Sequence, residues 1–287
     1  MRQFSFMKIS PICLVTVLLL TACQPKGDRG ERGADAMQGL EIYKASFSKL
    51  PDNRAGEIIK KAIEGAGGWE AWTSKKALSY IKIITFYDST GAVSRVSRQL
   101  HEYNLFPSFQ ARISYEENGK QYIIINNGEQ SWKLANGNVM TDEASKNSSW
   151  NSSYGSHYVM CMPFKLPDPG SHYEFEGITT LPNGKEVNSI KVTYQKGAGS
   201  SALYHTWWYF FDPTTNELAA NFLDFTNGYD YTEYTAFVTV DGIKLNQQRK
   251  SYKADANRNI IYLSSSYVNE EVQFKDSFPS DYFEPSK

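Results

Sequence analysis

Hydrophobic and polar positions change their period once along this chain. Between Asp52 and Trp72, the apolar residues Ile58, Ile59, Ala62, Ile63 and Ala66 recur at helical spacing, while Lys60, Lys61 and Glu64 take the other face. Asp52 is placed to cap this helix and Gly67-Gly68 to end it, and Leu40–Leu50 predicts a further helical stretch before it. Trp69 and Trp72 follow the glycines and predict a plug or lid where helix meets sheet. From Leu78 onward the period becomes two. Tyr- and Ile-rich segments of strand length are separated by Asn118-Gly119, Asn127-Gly128, Asn136-Gly137, Asn227-Gly228 and Asp241-Gly242, pairs that favour tight antiparallel turns. About eleven strands result, from Leu78–Tyr87 through to a last long stretch at Ile260–Val272. This meander predicts a mainly β (α+β) fold, one large curved antiparallel sheet or open half-barrel with one or two N-terminal helices. Thr141–Met160 breaks the alternation with Ser, Asn and aromatic residues, and predicts a helical or irregular insertion across the open side.

Two segments are apolar on both faces. Trp207-Trp208-Tyr209-Phe210-Phe211 sends rings to opposite sides, because neighbours in a strand point oppositely, and Ile123-Ile124-Ile125 repeats the theme. Either both sides are plain core, or one side is a hydrophobic concavity. On the second reading Trp69, Trp72, Trp207 and Tyr209 are the candidate ligand-lining residues.

The N-terminus adds topology. Arg2 and Lys8 precede an apolar run, Ile12 to Leu20, too short for an ordinary membrane-spanning helix, and Leu20-Thr21-Ala22-Cys23 follows. This order resembles the lipobox of bacterial lipoproteins. The resemblance implies residues 1–22 as a signal peptide cut before Cys23, a diacylglycerol thioether on Cys23 and a palmitate-type acyl group on its new amine. Acyl chains at about 0.8 kcal/mol per buried methylene make a stable anchor, so the membrane is a partner through Cys23. The alternative is an uncut apolar segment or a plain secretory signal. Residues 23–36 read as the lipidated cysteine and a Gly-rich, charged flexible tether, and residues 37–287 as a single domain.

Charge and cysteine content narrow the function. Thirty basic against 31 acidic residues give a net charge of −1, so there is no basic excess to neutralise phosphates and no nucleic-acid partner is expected. Of three cysteines, Cys13 leaves with the leader and Cys23 takes lipid, which leaves Cys161 without a disulfide partner. His157, Cys161, Asp168 and His172 lie close in sequence but match no zinc signature, and Met160 and Met162 give the thiol an apolar, inert setting. Glu116-Glu117 and Glu270-Glu271 are adjacent in strands, so each pair splits across the sheet. No nucleophile elbow, phosphate loop or dinucleotide fingerprint occurs, and no catalytic residue, metal or cofactor is expected.

The assembled pattern resembles the LolA/LolB-like proteins, and within them an uncharacterised family of lipid-anchored envelope proteins. The segments that carry this are Ala62–Trp69 with Trp72, Met162–Gly170, Tyr209–Pro213 and Val240–Ile243, spanning about Asp52 to Phe283. The resemblance implies a half-barrel with helices across its open side, which holds a lipid or lipoprotein acyl chain and performs no catalysis. It also implies a cell-envelope location, and with Gln24 rather than Asp after the cysteine, an outer membrane facing the periplasm. The chain departs from the soluble carrier of that group in having Cys23, and from the anchored receptor in lacking a Leu-bearing insertion loop. Two alternatives stand beside this reading. One is an interaction protein that docks another envelope protein through its aromatic sheet face. The other is a hydrolase with an unrecognised site.

Overall fold

The computed structural model describes residues 29–195, 205–225, 227–279 and 281–285. The leader, Cys23 and residues 24–28 therefore lie outside the described residues. Three helices open the fold: α1 (Arg29–Ser48), α2 (Arg54–Gly65) and the short α3 (Trp69–Thr73). Helix α1 starts within the segment expected to be tether, so residues 29–36 are helical rather than extended linker. The cap of α2 also differs by one residue from expectation. Asn53, not Asp52, takes the extended cap conformation, and its side chain accepts the Gly56 N–H. The buried face of α2 is the predicted one, with Ile58, Ile59 and Ile63 fully enclosed. Each contributes about 1.5–3 kcal/mol on burial.

At the end of α2 the backbone turns left-handed at Gly67, with φ +117°. A Cβ there would lie 2.2 Å from the Gly242 carbonyl oxygen, and Lys244 N–H donates to the Ala66 oxygen at 2.8 Å. This close approach needs a residue without a side chain. It also joins two of the sequence segments that carried the family resemblance.

Among the described residues thirteen strands form one antiparallel sheet that does not close. They are β1 (Ala77–Tyr87), β2 (Val93–Asn104), β3 (Gln110–Glu117), β4 (Lys120–Asn126), β5 (Ser131–Ala135), β6 (Asn138–Val139), β7 (Ser171–Thr180), β8 (Glu186–Tyr194), β9 (Thr206–Phe211), β10 (Leu218–Phe225), β11 (Gly228–Val240), β12 (Ile243–Ala254) and β13 (Ile260–Lys275). The spatial order is β6-β5-β4-β3-β2-β1-β13-β12-β11-β10-β9-β8-β7. Neighbours in sequence are neighbours in space except where β13 returns beside β1, and where the chain leaves one edge at β6 and re-enters at the other edge with β7. That second connection is the predicted insertion. It consists of helix α4 (Glu143–Met160), capped by Asp142, and a buried segment through Asp168. The architecture is therefore mainly β, an open half-barrel whose one long crossover lies over its concave side.

The doubly apolar strands are packed on both faces. Tyr209 and Phe211 belong to the main core on the concave side, with Trp207 against it, while Phe210 and Trp208 join a separate convex cluster with Phe222 and Tyr231. Ile124 turns inward, and Ile125 packs outward with Leu134 and Phe283 of the C-terminal segment.

Candidate functional site

Helix α4 is unusual for an element over an apolar sheet, because its inward face is built from small polar residues. Ser145, Ser149, Ser153 and His157 recur every fourth position and are buried. Ser153 Oγ accepts from Asn126 Nδ2 at 2.9 Å, so the helix sits close on β4. The adjoining stripe, Asn151, Ser152, Gly155, Ser156 and Val159, leaves space that larger side chains would fill. A cavity of about 380 Å³ lies there between α4 and the concave face. That volume falls within the usual range for small-molecule sites.

Six strands supply the floor. On the β3–β4 side stand Ile113, Tyr115 and Ile124, with Ile84 of β1 beside them; on the other side stand Lys82 of β1, Tyr267 of β13 and Arg249 of β12. Sheet order thus separates an apolar end from a cationic end. Strands are about 4.8 Å apart, so β3 and β1 place about 10 Å between Ile113 and Lys82, while Ile84 lies two residues along β1 from Lys82 and joins the two ends. Lys82 Nζ donates to Ser156 Oγ at 3.3 Å and lies 5.4 Å from the Tyr267 ring centroid. Arg249 Cζ lies 4.0 Å from the same ring. Lys82 and Arg249 are each 7% exposed, and among the described residues neither forms an ion pair. Burial, and then Arg249, pushes the Lys82 ammonium down to about 7. His101 lies behind them, fully buried, stacked on Tyr80 and held by Tyr103 at 2.6 Å and Gln99 at 3.0 Å. Burial, then Lys82 and Arg249, holds this imidazole well below the ordinary His range, so it is neutral.

The four residues expected to line a ligand are placed elsewhere. Trp72 is fully buried, stacks on Phe164 at 4.8 Å and donates to Tyr43 Oη at 3.2 Å. Trp69 stacks on Phe47 and donates to the Lys44 carbonyl at 3.0 Å. Both indoles are the expected plug, made of core packing between α1, α3 and the buried crossover. Trp207 and Tyr209 stack on each other with centroids 5.7 Å apart, and Tyr209 Oη meets Tyr158 Oη of α4 at 2.8 Å. They form the part of the core beneath the end of α4, and none of the four borders the 380 Å³ cavity.

The residues that do border it carried one sequence signal. Lys82 occupies the inward phase of β1 between Tyr80 and Ile84, where the alternation calls for an apolar side chain. Arg249 gave less warning, because Gln247-Gln248-Arg249-Lys250 reads as a solvated strand.

The remaining polar candidates are dispersed. Cys161 is fully buried, and burial pushes its thiol far above the usual range, so it is not a nucleophile. His157 stacks on Phe109 at 4.6 Å, and burial keeps it well below the ordinary His range. Asp168 pairs with Lys165 at 2.7 Å, and His172 is exposed on β7. No group of three His, Cys, Asp or Glu among the described residues is arranged to hold a metal.

Comparison with solved structures gives the same architecture. A DUF1329 family protein from Desulfovibrio piger superposes with a TM-score of 0.53 at 11% identity, covering 81% of this chain and 98% of that one. A LolA superfamily protein from Nitrosomonas europaea superposes with a TM-score of 0.51 at 11% identity, covering 81% and 97%. At this identity the likeness establishes a LolA-like fold. No curated protein matches the chain. A family model described as a family of unknown function, DUF6503, matches residues 52–273, from the cap region of α2 to within two residues of the end of β13, and to that family this chain belongs.

Proposed function

We propose that the chain binds a hydrophobic, lipid-like ligand between its sheet and α4, without chemistry, at the surface of a membrane in the cell envelope. The observation that carries this is the cavity itself. A helix whose inward face is Ser, Asn and Gly covers a floor that includes three isoleucines, and leaves about 380 Å³ open. At about 25 cal/mol per Å² of apolar area, enclosing an acyl chain there gives useful affinity with few polar contacts. The LolA superfamily relative supports the class of cargo by analogy of fold alone. The lipobox-like Leu20–Cys23 supports anchorage through Cys23, and Gln24 rather than Asp after it supports the outer membrane as the site.

The test uses the full chain with Cys23→Ser, exported and purified without detergent. Native mass spectrometry is expected to show a discrete excess mass that extracts as lipid. A clean apo mass, with added fatty acid and phospholipid both failing to bind, overturns the reading.

A further inference from the structure

The cationic end of the cavity is not explained by packing. Lys82 and Arg249 are nine-tenths buried and flank one ring, Tyr267, from β1 and β12. Buried cations ordinarily have a carboxylate partner, because the uncompensated charge costs several kcal/mol. The fold supplies one elsewhere. Lys165, equally buried, has Asp168 at 2.7 Å. Around Lys82 and Arg249 the lining contains no Asp or Glu at all. The groups that face them are Gln99, Asn151, Ser152, Ser156, Tyr115 and Tyr267, all of them neutral. A further titratable group coupled to both, His101, is held neutral first by burial and then by the same two cations.

We propose that Lys82 and Arg249 form an oxyanion-binding subsite that takes the carboxylate or phosphate head of an anionic amphiphile, whose chain lies along Ile84, Ile113 and Ile124. This rests on the lipid-binding reading and narrows it from any apolar ligand to one with an acidic head. Three features of the site support it. A guanidinium presents two parallel N–H donors, which match the two oxygens of a carboxylate or phosphate. The ammonium adds a third donor direction from the opposite side of Tyr267, and Ser156 of the covering helix already touches it at 3.3 Å. The order of strands then fixes polarity, because the head lies under β1, β13 and β12 and the tail runs toward β3 and β4. An entering anion supplies the missing counter-charge for both cations at once, which a neutral lipid cannot do.

The experiment titrates the Cys23→Ser chain with three probes: decanoate, decanol and inorganic phosphate. Decanoate is expected to bind about tenfold to a hundredfold more tightly than decanol, the range set by charge-assisted hydrogen bonds. Phosphate is expected to compete with decanoate weakly. Lys82→Met and Arg249→Met are expected to bring decanoate to within about threefold of decanol, the size of a lost screened contact. Gly155→Leu is expected to abolish both, because nothing lies within 4 Å of the Cβ position and the side chain would enter the cavity. Equal binding of decanoate and decanol, unchanged in the Met variants, overturns the subsite while leaving lipid binding intact. Phosphate binding as tight as decanoate, with decanol silent, also overturns it, in favour of a free-anion site. Failure of every probe overturns the lipid-binding reading itself.

Discussion

At the scale of single residues, the molecule spends stability at two kinds of position, one structural and one functional. Gly67 is structural. Its φ of +117° and the 2.2 Å approach of the Gly242 oxygen leave no room for a methyl group. Gly67→Ala is expected to cost at least about 1–2 kcal/mol from the left-handed backbone alone, before the clash is relieved. Chemical denaturation reads this as a lower midpoint at an unchanged slope. Lys82 is the opposite case. Its ammonium is buried with a guanidinium beside it and no acid in the cavity. Lys82→Met keeps the stem and removes the charge, and is expected to stabilise the ligand-free chain by about 1–3 kcal/mol at neutral pH. A lower melting temperature for this variant would mean that the ammonium has a compensating role in the empty fold. A residue that destabilises the fold in which it sits, at a cavity, is the pattern of a binding residue.

At the scale of elements, the crossover from β6 to β7 and the C-terminal segment decide how an unclosed sheet stays folded. Within the crossover, the Lys165–Asp168 pair is buried at both ends, and the lysine also lies 4.9 Å from the Tyr43 ring of α1. Asp168→Asn leaves that ammonium without its counter-charge and is expected to cost about 3–5 kcal/mol, measured by urea unfolding. The C-terminal segment folds back on the convex side. Phe283 is fully buried against Ile125 and Leu134, and Tyr282 Oη donates to Glu102 Oε2 at 2.5 Å. Phe283→Ala is expected to cost about 3–5 kcal/mol, with faster amide exchange concentrated in β4 and β5. The strands, their turns and the insertion at Thr141–Met160 were legible because period-two alternation, its interruption and Asn-Gly turns are local signals, while the choice of helix over irregular chain for α4 was left open. The cap of α2 at Asn53 rather than Asp52 differs by one residue because both types accept the same N–H, and only backbone geometry selects between them. The start of α1 at Arg29 was not legible, since its glycines and charges read as linker. The binding cavity was legible as a class of site but not by residue. Trp72 and Tyr209 carry the strongest apolar signal because they are core, whereas the cavity exists where side chains are small, at Gly155 and Ser156, and small residues leave little trace.

At the scale of the whole molecule, the buried titratable groups set an unusual dependence of stability on pH. His101 and His157 are held well below the ordinary value of 6.5, first by burial, so below that pH the unfolded chain takes protons that the folded chain refuses. Lys82 behaves alike in a higher window. Its folded value near 7 against an ordinary 10.5 means that the unfolded chain binds the extra proton between those limits. The groups that face this ammonium are Arg249 on β12, Tyr267 on β13, His101 on β2, Tyr115 on β3 and Ser156 on α4, none of which is acidic. Wherever the unfolded state holds more protons, stability rises with pH, so both windows slope upward. The sign reverses at high pH. Cys161, ordinarily near 9, and Tyr43, Tyr103, Tyr158, Tyr194 and Tyr209, ordinarily near 10, are all pushed well up by burial, and there the folded chain keeps protons that the unfolded chain loses. The ligand-free chain is therefore expected to be most stable near pH 9, above the pH 5–8 maximum common to globular proteins. Melting temperatures taken from pH 5 to 11 test this, and Lys82→Met isolates the cause. That variant is expected to lose the rise above about pH 7 while keeping the acid limb set by the histidines and the alkaline fall set by Cys161 and the tyrosines. A bound anionic amphiphile is expected to act like the substitution in that window, because it holds the proton on Lys82 in the folded state. A rise that survives in the variant would place the titrating group elsewhere in the molecule.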